Sequence, residues 1–408
     1  MSSQTKLLLI SCSGQETKLL AEDLYRILRE DYGLENQVEL LLSQQREEVE
    51  KEMQKAHRHP LVADYFPDGE AQVDIGANML KDVIRGKHLA LVEHLLTPSR
   101  KMAEGDEQHV SVNDHLWTVL GFLEVVRNID TLQRTLVSPY LAYVRSHSVE
   151  KYHKRGFYQF DSLRMMLRDL QKAGLEALTA IDPHSTKAAQ IAEELGMEYH
   201  AANPFQSGRA INSYKLGLSG TKAKDVQKRL RPFQERFDKM KGQNPQHLYV
   251  VSVDDGTERR TENFVERGFR NSSPEEAYAL LAYLEKDRVS YGDTQTTFKA
   301  FSQINKGNID KEGTYIIIDD MFASGGTAIQ AAKLLKDLGA KWVEAWMSHA
   351  VTMPAQYEKA NDRQYVNKVV CLDTVPQNPL LNIEYIPASA DLLAAELYKT
   401  HQKLVASR

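Results

Sequence analysis

The sequence predicts an α/β protein built on mostly parallel sheets, and three observations lead there. Short β-like runs alternate with helix-length segments along the chain. The run Tyr315 to Ile318 is apolar throughout, as a strand covered on both faces is. The 408 residues exceed the roughly 100 to 200 of a usual single domain, so two domains are expected.

Taken in order, "KLLLIS" opens the series and a helix is expected from Gln15 to Glu30. "HLALVEHL" follows, then a helix from His115 to Ile129; both helices carry apolar residues at helical spacing. "RTLVSPYLAY" and "ALTAID" complete a first half that ends near Asn203. The second half contains "HLYVVSVD", "YALLAYL", "TYIIID", "WVEAWMSH" and "KVVCLDTV". Between the halves, Gln206 to Pro245 is polar and holds ten Lys and Arg against three acidic residues, a net of about +7. A solvated surface helix within an insertion is the plain expectation for it, and "REEVEKEMQKAHRH" reads as another exposed helix.

Composition excludes several classes. With 42% hydrophobic and 26% charged residues the chain is neither disordered nor fibrous. A net charge of −5 supplies no general attraction to nucleic acid or to an anionic membrane. The only cysteines, Cys12 and Cys371, make neither a zinc motif nor a disulfide framework, which fits a reducing compartment. No stretch approaches the roughly 18 apolar residues of a membrane helix, so a cytoplasmic protein is expected.

The most informative stretch is "YIIIDDMFASGGTAIQAAKLL". Asp319 and Asp320 follow the apolar strand and so fall at its carboxyl end, where open α/β sheets present their ligand crevice. "MFASGGT" reads as a turn of small residues whose N–H groups converge, and "TAIQAAKLLKDLG" as a helix stopped by Gly339. Such a turn at a helix N-terminus suits a phosphate. Like charge bars the carboxylates from touching that phosphate, but they can accept hydrogen bonds from vicinal hydroxyls or hold a magnesium ion. Phosphate beside a diol describes a ribose 5-phosphate.

This stretch resembles the ribose-phosphate-binding loop of the type I phosphoribosyltransferase fold. "FPDGEAQVDI", "VIRGKHLALVEH", "SPYLAYVR", "IDPHS", "SVDDGTERR", "LEKDR" and "VVCLDTVPQNP" occur in the order found in ribose-phosphate pyrophosphokinases, which make phosphoribosyl pyrophosphate. The resemblance spans nearly the whole chain apart from the basic insertion and residues near 40 to 60. It implies two tandem phosphoribosyltransferase-like domains with mostly parallel central sheets, at 1–203 and 247–390. The basic insertion at 204–246 would separate them, and a C-terminal helix would occupy 391–408.

The resemblance also implies an activity and a site. Magnesium-ATP would give its β,γ-diphosphate to the 1-hydroxyl of ribose 5-phosphate, releasing AMP. Lys286 and Arg288 match the basic pair of a mobile catalytic loop. Asp182 and His184 match an Asp-x-His pair which, with Asp254, would serve Mg2+. Phe66, Asp68 and Glu70 match a loop that contacts the adenine of a neighbouring subunit, and Arg145 matches an ATP-contacting arginine. Asp319, Asp320, Ala323, Ser324, Gly325, Gly326 and Thr327 would form the ribose 5-phosphate loop, where a side chain at Gly325 would obstruct the phosphate. A homo-oligomer follows, a dimer at least and a hexamer by family pattern.

Three positions depart from the family: Ala323 replaces a common acidic residue, Lys187 a glutamine, and "RSH" with Ser146 an Arg-Gln-Asp. "VDDG" and "SGGT" are similar to a divergent branch that depends less on inorganic phosphate, which points to altered regulation. Two alternatives remain open at this level: a phosphoribosyltransferase that consumes phosphoribosyl pyrophosphate, and a noncatalytic regulatory paralogue. Two domain-sized halves and the Lys286/Arg288 pair disfavour the first. Retention of Lys286, Arg288, His184, Asp319 and Asp320 disfavours the second. No Walker-type phosphate loop is present.

Overall fold

The computed structural model describes residues 5–44, 61–65, 70–97, 111–145, 153, 156, 158, 160–205, 220–243, 247–253, 260–265, 281–288, 296–303 and 309–407. The chain divides into two compact units, the first made of 1–202, 216–222 and 389–408, the second of 203–215 and 223–388.

In the first unit β1 (Leu7–Ser11) leads to α1 (Gln15–Glu30) and β2 (Val38–Leu42). An antiparallel pair, β3 (Leu61–Tyr65) and β4 (Ala71–Ile75), precedes β5 (His88–Val92). Then come α2 (Val112–Val126), β6 (Gln133–Val137), α3 (Ser162–Lys172), β7 (Ala177–Ile181), α4 (Lys187–Glu194) and β8 (Glu198–Ala202). Six strands form one sheet in the order β2-β1-β5-β6-β7-β8, every pair parallel. β1, β5 and β7 are buried along their full length, as strands covered on both faces are.

The second unit follows with all but the first three residues of α5 (Gly220–Arg229), then α6 (Pro232–Gln243), β9 (Leu248–Ser252), β10 (Leu281–Arg288), β11 (Thr296–Gln303) and β12 (Thr314–Phe322). Next are α7 (Gly326–Asp337), β13 (Trp342–Ala350), α8 (Tyr357–Asn361), β14 (Lys368–Leu372) and β15 (Glu384–Ile386). Its sheet runs β11-β10-β9-β12-β13-β14-β15, parallel except where β10 and β11 pair antiparallel. The last helix, α9 (Ser389–Ala406), returns to the first unit, where the Tyr398 ring lies tilted 4.8 Å from that of Tyr32 and His401 lies against His88.

The structure adjusts several sequence expectations. The helix expected from His115 begins at Val112, because Ser111 and Asp114 close a capping box that satisfies two orphan donors. The apolar strand "TYIIID" does not stop at the carboxylates but continues to Phe322, held by pairing of Met321 with His349 and Phe322 with Ala350. The described part of the basic segment, 220–243, is solvated on one side only: Val226, Leu230, Phe233 and Phe237 are buried. Phe233 stacks between Phe205 and Trp346, with ring centroids 4.4 and 5.9 Å away. The exposed helix expected in "REEVEKEMQKAHRH" lies outside the described residues.

Candidate ribose-phosphate and nucleotide sites

In the second sheet β9 has β10 on one side and β12 on the other, so the connections from these strands depart in opposite directions. Such a switch point opens a crevice at the carboxyl ends of the strands. β12 pairs with β9 only as far as Ile317 opposite Val251, and Asp319 and Asp320 extend past that last rung.

The carboxylates are not free in solvent. Asp320 is buried, and its backbone N–H donates to Asp319 Oδ1 at 2.9 Å. Arg260, in the helical turn 260–265, places Nη1 3.6 Å from Asp319 Oδ1 and 3.8 Å from Asp320 Oδ1. Its guanidinium also lies 5.9 Å from the centre of the Phe205 ring. Burial pushes the Asp319 carboxyl well above the ordinary carboxylate range, and the neighbouring Asp320 charge adds to this while Arg260 opposes it. One arginine facing two carboxylates leaves them able to accept hydrogen bonds from hydroxyls. It makes the pair a poorer place for a metal ion, since a cation already stands there.

After Phe322 the chain turns sharply. Gly325 has φ 70° and precedes α7 as its N-cap, a left-handed conformation that glycine adopts without penalty. A Cβ at Gly325 would lie 2.8 Å from Phe322 Cζ and 3.1 Å from Ile329 Cδ1, so its crowding comes from the protein's own side chains. This crowding is a second obstacle to a side chain there, separate from the expected obstruction of a phosphate. Gly326 is different: a Cβ there would meet Ser324 Oγ at 3.4 Å and Lys359 Nζ at 3.6 Å, bringing a hydroxyl and an ammonium to the start of α7. Thr352 Oγ1 stands 2.7 Å from the Ala323 carbonyl and 3.0 Å from that of Phe322, which ties the turn to the strand behind it. We expect Gly325→Ala to lower stability by about 1–2 kcal/mol from the left-handed backbone alone, and by more if Phe322 cannot yield. Denaturant titration checks this, and an unchanged midpoint would contradict it.

The other sequence-predicted residues fall into three groups. Arg145 is exposed at the end of the turn 142–145 after β6, a turn in which Tyr143 has φ 61° and donates its hydroxyl to Asn113. Asp182 and His184 follow β7, the neighbouring strand, so these two groups lie beyond the carboxyl ends of adjacent strands of the first sheet. Asp182 is buried with φ 37°, an uncommon conformation for a non-glycine residue and one that concentrates at functional sites, whereas His184 is exposed. Lys187 begins α4 directly after them. Glu70 is exposed ahead of β4, while Phe66, Asp68, Asp254 and Ser146 lie outside the described residues. Lys286 and Arg288 are in β10 rather than in a loop, paired with Phe298 and Thr296 of β11 after an irregularity between Glu285 and Lys286.

Magnesium prefers about six oxygen ligands. Among the described residues no group of three or more His, Cys, Asp or Glu side chains is arranged to hold a metal ion. Asp182 and His184 thus offer at most part of a ligand set, one in keeping with an ion that keeps several waters and is held mainly by substrate phosphates. Sequence reasoning assigned no role to Arg260, although it lies within "SVDDGTERR". Nothing in the sequence marks Lys359 or Thr352, which reach the turn only through the fold. No helix among the described residues is long and apolar enough to cross a membrane.

Two open sheets, one ending in a carboxylate pair and a glycine turn ahead of a helix, define an α/β fold of the phosphoribosyltransferase type. No protein-family model matches the chain. The ribose-phosphate pyrophosphokinase of Prochlorococcus marinus subsp. pastoris is 24% identical over 348 residues, 84% of each protein. That of Sulfurisphaera tokodaii is 25% identical over 316 residues, covering 77% of this chain and 84% of its own length. The crystal structure of phosphoribosylpyrophosphate synthetase from Mycobacterium smegmatis matches with a TM-score of 0.63 and 18% identity, over 98% of this chain and all of that one. Within that fold the chain is similar to ribose-phosphate pyrophosphokinases at 24–25% identity over most of its length.

Proposed function

We propose that the protein transfers the β,γ-diphosphate of magnesium-ATP to the 1-hydroxyl of ribose 5-phosphate, giving phosphoribosyl pyrophosphate and AMP in the cytoplasm. The observation that carries this is the site on β12: the partly buried Asp319 and buried Asp320 beyond the last rung with β9, followed closely by the Gly325–Gly326 turn and α7. In this reading Asp319 and Asp320 accept hydrogen bonds from the 2- and 3-hydroxyls, and Arg260 holds the pair in place. Ser324 to Thr327 present the start of α7 to the 5-phosphate, with Lys359 as a nearby cation and Ala323 shaping the turn.

Arg145 and the turn holding Asp182 and His184 serve the ATP side of the reaction, with Asp254 joining the metal-side group. Magnesium, when bound, neutralises the phosphate oxygens as negative charge moves toward the leaving AMP. Lys286 and Arg288 supply cationic charge to the transferring group. Incubation with magnesium, ATP and ribose 5-phosphate tests the reading directly. AMP and phosphoribosyl pyrophosphate should accumulate in equal amounts, and their absence from folded protein would overturn it.

The same reading makes the active unit a homo-oligomer, with Phe66, Asp68 and Glu70 completing a neighbour's adenine pocket. β3 and β4 flank this segment as an antiparallel pair with Tyr65 opposite Ala71. Phe66→Ala should raise the ATP requirement about tenfold, as loss of roughly 1.4 kcal/mol of stacking would. Mixed with Lys286→Ala it should recover activity, because each variant supplies what the other lacks. A fully active monomer by sedimentation, or no recovery despite subunit exchange, would exclude a shared pocket.

A further inference from the structure

A second constellation in the first unit shares no residue with the site proposed above. β1 is flanked by β2 and β5, so the carboxyl ends of β1 and β5 form the switch point of this sheet. Glu93, directly after β5, is wholly buried. Its Oε1 lies 2.8 Å from His115 Nδ1, and Ser13 Oγ donates to it from 2.8 and 2.9 Å of its two oxygens. Thr17 Oγ1 approaches at 3.5 Å. On the far side of the imidazole, His115 Nε2 is 3.0 Å from Thr97 Oγ1.

The hydrogen-bond network assigns the protons. Burial raises the Glu93 carboxyl, and the hydrogen bonds from His115, Ser13 and Thr17 oppose that shift and favour the ionised form, which can only accept. His115 Nδ1 must then carry the hydrogen directed at Glu93, leaving Nε2 as an acceptor whose partner is the Thr97 hydroxyl. The Thr97 proton therefore points at a base that is itself oriented by a buried carboxylate, the arrangement that activates an oxygen nucleophile. Ser13 cannot fill this role, since its single proton faces Glu93. Thr97 is also only partly buried, whereas Ser13 is 6% exposed.

We propose that Thr97, His115 and Glu93 form a second catalytic site that accepts an acyl group from a small, uncharged, activated ester. The class follows from charge: among the described residues the groups hydrogen-bonded to this relay include a buried carboxylate and no arginine or lysine, which disfavours an anionic phosphoryl donor. Thr97 Oγ1 bonds to the acyl carbon as its proton passes to His115 Nε2. The tetrahedral adduct collapses, the carbon–oxygen bond to the leaving alkoxide breaks, and that oxygen takes the proton from Nε2. Water repeats the sequence with His115 as base, releasing the carboxylic acid and restoring Thr97.

p-Nitrophenyl acetate tests this on the full chain. Wild-type protein should release p-nitrophenolate and carry acetyl on the peptide containing Thr97. Thr97→Val should lose the acetyl mark and slow release about 100-fold or more, while Thr97→Ser keeps both. Circular dichroism melting establishes that the variants are folded, and the wild-type acetylation map stands even if a variant is not. Absence of acetyl at Thr97 in the wild type, or release by folded Thr97→Val at the wild-type rate, would overturn the proposal.

Discussion

Lys286→Ala and Arg288→Ala should each lower turnover by about 10²- to 10³-fold, the loss seen when one preorganised donor to a developing charge is removed. Ribose 5-phosphate affinity should change little, because a contact made mainly in the transition state affects turnover more than ground-state binding. The two residues occupy alternate positions of β10, at the far end from its pairing with β9, where only β11 accompanies the strand. A two-stranded arm is marginal by itself, so its ordering can be coupled to substrate. Steady-state kinetics combined with calorimetry separate the effects. Wild-type turnover in both variants would remove Lys286 and Arg288 from the chemistry, and a parallel loss of affinity would make them ground-state ligands.

The parallel sheets were legible because their central strands carry little but apolar residues. β1, β5, β7 and β12 each present four or more such residues within their span, and length alone separates them from helices. The edge strands lack that signature. β2 buries only Val38 fully, β8 is mostly half-exposed, and β15 has three half-buried residues, so their pairing partners define them more than their composition does. The basic segment misled for a related reason. Its ten cations dominate a count, yet apolar residues of α5, α6 and the turn between them suffice to bury one side of its described part.

At the site the division is similar. The aspartate pair and the glycine turn could be placed because strand, turn and helix are local and leave a contiguous record. Arg260, Thr352 and Lys359 reach the same turn from elsewhere in the second unit. No spacing rule ties residues 260, 352 and 359 to 319–326. Gly325 shows the limit most clearly: sequence identifies a glycine beside a phosphate turn, whereas the structure adds that Phe322 and a φ of 70° require one as well.

Asp319→Asn should make the protein more stable at neutral pH while weakening ribose 5-phosphate binding about tenfold or more, the loss of a charged hydrogen-bond acceptor. Burial first, and the Asp320 charge second, raise the Asp319 carboxyl in the folded chain. Well below the unfolded value of about 3.9, folded and unfolded chains both hold the proton, and the group contributes nothing. As pH rises through that value the unfolded chain ionises first, so stability falls until the folded carboxyl ionises as well; above that the deficit is complete. Asparagine never ionises and escapes this loss. It also leaves Arg260 opposite a single carboxylate, Asp320, in place of the two it faces at 3.6 and 3.8 Å. Thermal melts across pH should therefore show a gain for the variant at neutral pH that disappears toward about pH 4. A gain of about 1 kcal/mol would appear as roughly 2–4 °C in a domain of this size. Equal melting temperatures at neutral pH would mean that Arg260 already offsets the burial cost in full. An unchanged ribose 5-phosphate affinity would mean that Asp319 does not meet the diol. The two measurements are independent, and a variant both more stable and weaker in binding is what a carboxylate kept for its ligand at the expense of stability would produce.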